Sequence, residues 1–269
     1  MNPMRIFAIM DTERAENLGT LLYYEKEKTF IVELKKDLDE WTAPLMFSGY
    51  VKKNIFTIPR QDALAWVRER LIPPGRQNIE SILTNHKLKE YDEMKLLEIS
   101  EGKCAQDALC IVPLSTLPEY VEERMKHNIS EAVMCDNRRI LCFFRDNTAK
   151  LLDLKKNASL TADINKILSN DALYESGKVG TDGYYITFND SIDIPAGQIY
   201  CLADPLPLSM DDFMSFIRKN ISDTADVCQM LGCTRQNLAY LQEKGRLTAV
   251  KNDVRGNLFL KGEVLKNMW

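Results

Sequence analysis

Hydrophobic and polar positions change their period several times along this chain, and those changes suggest its parts. Over residues 5–10, 19–24 and 29–34, Ile, Phe, Tyr and Val are concentrated, which predicts three short strands. Trp41 and Pro44 break the pattern. From Gln61 the spacing becomes helical: Ala63, Leu64, Val67 and Leu71 share a face, and Pro73-Pro74 ends the segment. Ile79, Ile82 and Leu83 mark a second helix, and Met94, Leu96 and Leu97 a third. Residues 109–112 return to a strand, and 119–126 form a charged connecting helix. The expectation is an α+β domain over residues 1–127.

A second small α+β domain is expected over residues 128–205. Residues 131–134, 139–144 and 148–154 read as strands joined by the polar turns Asp136-Asn137 and Asp146-Asn147. Residues 161–169 suit a helix with Ile164, Ile167 and Leu168 inward. Two further strands, 176–179 and 184–188, flank Gly180-Thr-Asp-Gly183. Asp204-Pro-Leu-Pro207 reads as a linker, and 210–219 as a bridging helix inside a connecting segment, 206–220.

The stretch 221–269 is patterned most tightly. Asp223 can cap a helix, and Asp226, three residues on, suits the positive helix start. Val227 and Leu231 share a face, and Gly232 sits where a C′ glycine ends a helix. After Cys233, Thr234 is placed to cap a second helix over 235–244, closed by Gly245. At about 100° per residue, Leu238 and Leu241 turn inward, whereas Gln236, Asn237, Tyr240 and Lys244 turn outward. Two short helices joined through a glycine-containing turn make a helix-turn-helix unit. Residues 247–251 and 257–260 then alternate like strands around an Asn252-Asp-Val-Arg-Gly256 turn. That is the pattern of a wing, with Lys251 and Arg255 placed for phosphates. A last short helix, 261–268, is expected beneath it.

Three stretches resemble known families. The Gly232-x-Thr234-Arg235 turn with an apolar residue at Leu238, and the Lys244-Gly-Arg-Leu247 helix exit, resemble the excisionase and MerR-type winged helix-turn-helix family. That resemblance implies double-stranded DNA as a partner. Phe188-Asn-Asp-Ser-Ile-Asp-Ile-Pro-Ala-Gly-Gln-Ile-Tyr200 resembles the closing signature of a small bacterial domain of unknown function, with Phe188 in place of the usual Trp. Members of that family often accompany helix-turn-helix modules and toxin–antitoxin genes. Arg70-Leu-Ile-Pro-Pro-Gly-Arg76, Tyr91-Asp-Glu-Met-Lys-Leu-Leu97 and Gly102-x-Cys-x-x-Asp-x-Leu-x-Ile-x-Pro113 are similar to the N-terminal subdomain of HipA-type toxin kinases. No catalytic-loop Asp/Asn pair or ATP-binding loop is evident, so this resemblance implies an interaction or scaffolding role and not phosphoryl transfer.

Charge limits the reading. The formal net charge is −4, so affinity for nucleic acid has to come from a local patch. From Ile221 onward seven basic residues stand against five acidic ones, a modest surplus of +2 for a DNA binder. No apolar run approaches a membrane span. Seven cysteines, an odd number and never as C-x-x-C, point to reduced thiols and a cytoplasmic protein. Cys228 and Cys233 suit small buried positions between the two helices.

Nothing in the sequence marks an enzyme. His86 and His127 are the only histidines, both in charged surroundings, and neither has a Ser or Cys placed for a nucleophilic relay. Asp182, Asp190 and Asp193 lie among turn residues, where carboxylates serve as caps. No catalytic residue, metal or cofactor is expected. Tyr184, Tyr185, Tyr200 and Phe188 are read as sheet core and not as a platform for stacking bases. The expected function is a DNA-binding transcriptional regulator, antitoxin-like or autoregulatory. Arg235, Gln236, Asn237 and Tyr240 would meet base edges, and Thr234, Lys244, Arg246, Lys251 and Arg255 would hold phosphates. The upstream domains would make a homodimer or bind a toxin or kinase-like protein. The alternative left open is an adaptor of a toxin–antitoxin-like system that never touches DNA.

Overall fold

A computed structural model describes residues 4–157, 160–161, 163–254, 256–260 and 264, with backbone alone at 253, 254 and 260. The chain is a mixed α+β protein with antiparallel sheets. It divides into two compact units: Met1–Asp146 with Lys150–Asp204, and Asn147–Ala149 with Pro205–Trp269.

The first unit begins with a meander, β1 (Met4–Asp11), β2 (Glu16–Tyr24) and β3 (Thr29–Leu34). The short β4 (Thr57–Ile58) extends it beside β3. β5 (Leu109–Leu114) returns to the open edge of β1, giving the order β4-β3-β2-β1-β5. Strand β2 is buried at seven successive positions, 18–24, because both of its faces are covered. Leu18, Leu21 and Tyr23 join a core with Phe30, Val32, Trp66 and Leu97, supplied partly by helices Arg60–Glu69 and Glu93–Ile99. Leu22 and Tyr24 join a different cluster, with Ile31, Val121, Tyr184 and Tyr185.

That second cluster explains why residues 1–127 and 128–205 are one compact unit here and not two. Tyr184 and Tyr185 come from the later stretch and close the back of the first sheet. Tyr24 reinforces the seam by donating to Asp182 Oδ2 at 2.8 Å. Residues 128–204 retain a core of their own. It gathers Ile140, Cys142 and Phe144 of β7 (Arg139–Phe144) with Ile186, Phe188 and Ile194 of β10 and β11 (Tyr185–Phe188, Ile192–Pro195). β7 pairs with β6 (Ile129–Cys135) around a turn in which Asn137 and Arg138 are left-handed, at φ 62° each. β8 is Ala149–Asp153, beside β7, and β9 is Lys178–Val179, antiparallel to β10. β12 is Asp204–Leu206, a strand within the stretch expected as a linker.

Four other elements here differ from the expectation. The helix expected over 161–169 is described as a helix only from Ile164 to Ser169, and a second, Asp171–Glu175, follows it under an Asn170 cap that accepts from the Leu173 amide at 3.0 Å. The run after Phe188 folds into strand β11 and helix Ala196–Leu202. Within that run Gly197 weakens the helical signal.

Gly183 is the tightest point of this unit. Its φ is +76°, and a β-carbon there would meet the Ile129 carbonyl oxygen at 2.1 Å. Gly183→Ala is expected to cost about 1–3 kcal/mol from forced overpacking, with roughly 1 kcal/mol more for the left-handed backbone. A shift in urea midpoint reads it, and a midpoint equal to the parent chain's would refute the close approach.

Candidate nucleic-acid interface

The second unit is assembled from short local signals. β13 (Ile221–Asp223) leads directly into α1 (Thr224–Leu231). Asp223 caps that helix, its Oδ1 accepting from Ala225 N at 2.8 Å and Asp226 N at 2.9 Å. Asp226 answers by accepting from the Asp223 amide at 3.4 Å, which completes a capping box. Gly232 ends α1 in the left-handed conformation at φ 60°, and the Cys233 amide returns to the Cys228 carbonyl at 3.0 Å. Thr234 then caps α2 (Arg235–Glu243) by accepting from Asn237 N at 3.3 Å. Gly245, at φ 65°, turns the chain out again.

Behind α2 lies a small core. Val227, Leu238, Leu247, Phe259 and Val264 are buried, with Leu231, Leu241, Cys228 and Cys233 half-buried against them. Burial raises the Cys233 thiol pKa, and the nearby Cys228 adds to the effect. That favours the protonated thiol and fits a packing role for this cysteine. The wing is β14 (Ala249–Val254) and β15 (Gly256–Leu260), with sheet order β13-β15-β14. Residues 252–254, expected within the turn, continue strand β14 instead, and Lys251 pairs with Leu258. Arg255 and the helix expected over 261–268 lie outside the described residues, apart from a buried, helical Val264.

The outward face of α2 is open to solvent. Arg235, Gln236, Asn237, Tyr240 and Lys244 are all exposed, as are Thr234, Arg246 and Lys251. Tyr240 keeps 52% of its surface exposed. Lys244 Nζ lies 5.6 Å from the Tyr240 ring centroid, so cation and ring form one surface feature. Asn257, Gln242 and Thr224, none of them predicted from the sequence to touch DNA, brace this surface. Asn257 Nδ2 donates to Gln242 Oε1 at 3.2 Å, and its amide donates to Thr224 Oγ1 at 2.9 Å. One asparagine therefore ties the base of the wing to both helices. Its position directly after Gly256 was the available signal.

Elsewhere the candidate carboxylates do not converge on a site. Asp193 accepts from Arg60 Nε at 2.6 Å, Asp190 lies 2.9 Å from Lys178 Nζ, and Asp182 pairs with Arg145. Among the described residues no group of three or more His, Cys, Asp or Glu could hold a metal ion. His86 and His127 are exposed, and the His127 ring stacks on Tyr200 with centroids 3.9 Å apart. Tyr184, Tyr185 and Phe188 are buried, and Tyr200 is half-buried in helix Ala196–Leu202. Among the described residues no helix is long and apolar enough to cross a membrane.

Comparison of the chain with protein-family models, with curated proteins and with solved structures gives no match.

Proposed function

We propose that the chain is a DNA-binding transcriptional regulator that reads duplex DNA with helix α2 of its second unit, as an antitoxin-like or autoregulatory component. One observation carries the reading. A short helix, capped at its start and packed from behind, presents Arg235, Gln236, Asn237, Tyr240 and Lys244 together to solvent. Gln and Asn can bond adenine bidentately, Arg can bond guanine, and the wing offers Lys251 to a phosphate. The small positive surplus of this unit makes binding by a single copy weak, so two copies on paired half-sites are the form that gains affinity. A protein partner for the first unit also has support: Trp41 and Leu45 stand 81% and 91% exposed, and large apolar side chains this bare suit an interface.

The test is polarisation of labelled duplex, first with random sequence at low salt and then with selected sites. Gln236→Ala or Asn237→Ala is expected to relax sequence preference at a cost of about 1–3 kcal/mol. Lys251→Ala is expected to weaken binding to every duplex and to lower the salt slope by about one unit. Indifference to all three substitutions would leave the adaptor reading as the better one.

A further inference from the structure

The first unit contains a cavity of about 500 Å³ that the DNA-binding reading does not use. Its walls come from distant parts of the chain: the end of β3, the segment around β4, the helix Glu119–Met125 and the helix Ala196–Leu202. Most of the lining is apolar, with Phe56, Pro195 and Leu202 prominent. The ionisable groups are distributed one-sidedly. Lys36, Arg124 and His127 line the space, and no aspartate or glutamate does. Arg124 is neutralised from behind by the buried Glu33, whose Oε2 accepts from its Nη1 at 2.6 Å. Lys36 is exposed and has no ion-pair partner among the described residues.

The hydrogen bonding of Arg124 is not complete. Arg124 Nε is buried and has no hydrogen-bond partner among the described residues. Buried polar atoms are normally paired, so an unpartnered guanidinium N–H on a residue that lines the cavity marks a place where an acceptor gains a hydrogen bond. Ligand sites share this character: mostly apolar walls, a volume of several hundred Å³ and a few convergent polar groups.

We propose that this cavity binds a small amphipathic monocarboxylate, its aromatic or branched apolar body against Phe56 and Pro195 and its carboxylate at Lys36 and Arg124. Charge selects the class. With Arg124 already compensated by Glu33, the wall carries one uncompensated permanent cation, Lys36, and a single negative charge balances it. A neutral or cationic ligand of the same shape leaves that charge unmet. The cavity lies wholly within the first unit, so this inference stands or falls separately from DNA binding.

Calorimetric titration of the full chain with 4-phenylbutyrate, with its amide and with 4-phenylbutylamine tests the assignment. The carboxylate is expected to bind with one site per chain and at least tenfold more tightly than either analogue. Lys36→Glu changes an exposed side chain and is expected to remove that preference. Gly197 lines the cavity with nothing within 4 Å of where a β-carbon would stand, so Gly197→Trp can fill the space without a clash at its base. That variant is expected to keep the parent melting temperature and lose binding. Three results overturn the proposal: no binding of the carboxylate to the parent chain, equal binding of acid, amide and amine, or carboxylate binding that survives Gly197→Trp.

Discussion

Replacing Arg124 with methionine is expected to lower the unfolding free energy by about 3–5 kcal/mol, the usual cost of removing one partner from a buried ion pair. Glu33 has no exposed side-chain surface, and its Oε2 accepts from Arg124 Nη1 at 2.6 Å and Thr57 Oγ1 at 2.9 Å. Arg124 Nη2 also donates to the Leu34 carbonyl at 2.6 Å, so one guanidinium ties its helix to β3 twice. Burial pushes the Glu33 carboxyl pKa up, and Arg124 pulls it back down. Without the arginine, the folded-state pKa climbs further above the unfolded value of 4.5. A carboxyl raised in the folded state contributes stability that is complete below the unfolded pKa and is lost as pH rises through the folded one. The deficit of Arg124→Met is therefore expected to be widest near neutral pH and to narrow as pH falls toward 4.5.

Urea midpoints of the parent and variant across that range measure the effect. A second variant separates charge from packing. Glu33→Leu combined with Arg124→Met removes both charges and keeps most of the volume, and is expected to recover most of the loss. A deficit that does not change with pH, or a double variant as poor as the single one, would show that Arg124 acts through packing alone.

How legible each feature was in the sequence followed its range. The helix ends at Asp223, Gly232 and Thr234 are written within three or four residues, because caps and left-handed exits are made by side chains beside the backbone they satisfy. The outward set on α2 follows from helical spacing alone, and the structure leaves it exposed. Long-range pairings left no comparable trace. β13 has three residues, and its ladder partners at 258–260 lie more than thirty positions away. Asp193 looked like a turn residue, yet its cation is Arg60, 133 positions distant in the chain. The join between the first two expected domains depends on Tyr184 and Tyr185 reaching the back of β2. The continuous apolar character of β2 was a hint of that, since a strand buried on both faces reads as an uninterrupted run.

If α2 reads duplex DNA as proposed, Phe259→Ala is expected to abolish that binding without altering any residue of the exposed face. Phe259 is fully buried in β15, opposite Ser222 on one side and Ala249 on the other. Truncating a buried phenylalanine costs about 3–5 kcal/mol. The second unit has little to spare, because a domain of roughly 60 residues buries a smaller share of its surface and is marginal by that fact. Among the described residues its other buried apolar side chains are Val227, Leu238, Leu247 and Val264, so loss of the largest removes a major part of the core behind α2. Hydrogen exchange is expected to show peptides from 221–254 losing protection, whereas β1–β3 keep theirs, since their cores share no member with this cluster. Tyr240→Ala is the counterpart. It changes an exposed side chain, so stability should move by no more than about 0.5 kcal/mol while DNA binding falls. If Phe259→Ala binds duplex normally, recognition does not depend on the folded helix pair. If Tyr240→Ala binds normally as well, the surface responsible lies elsewhere in the chain.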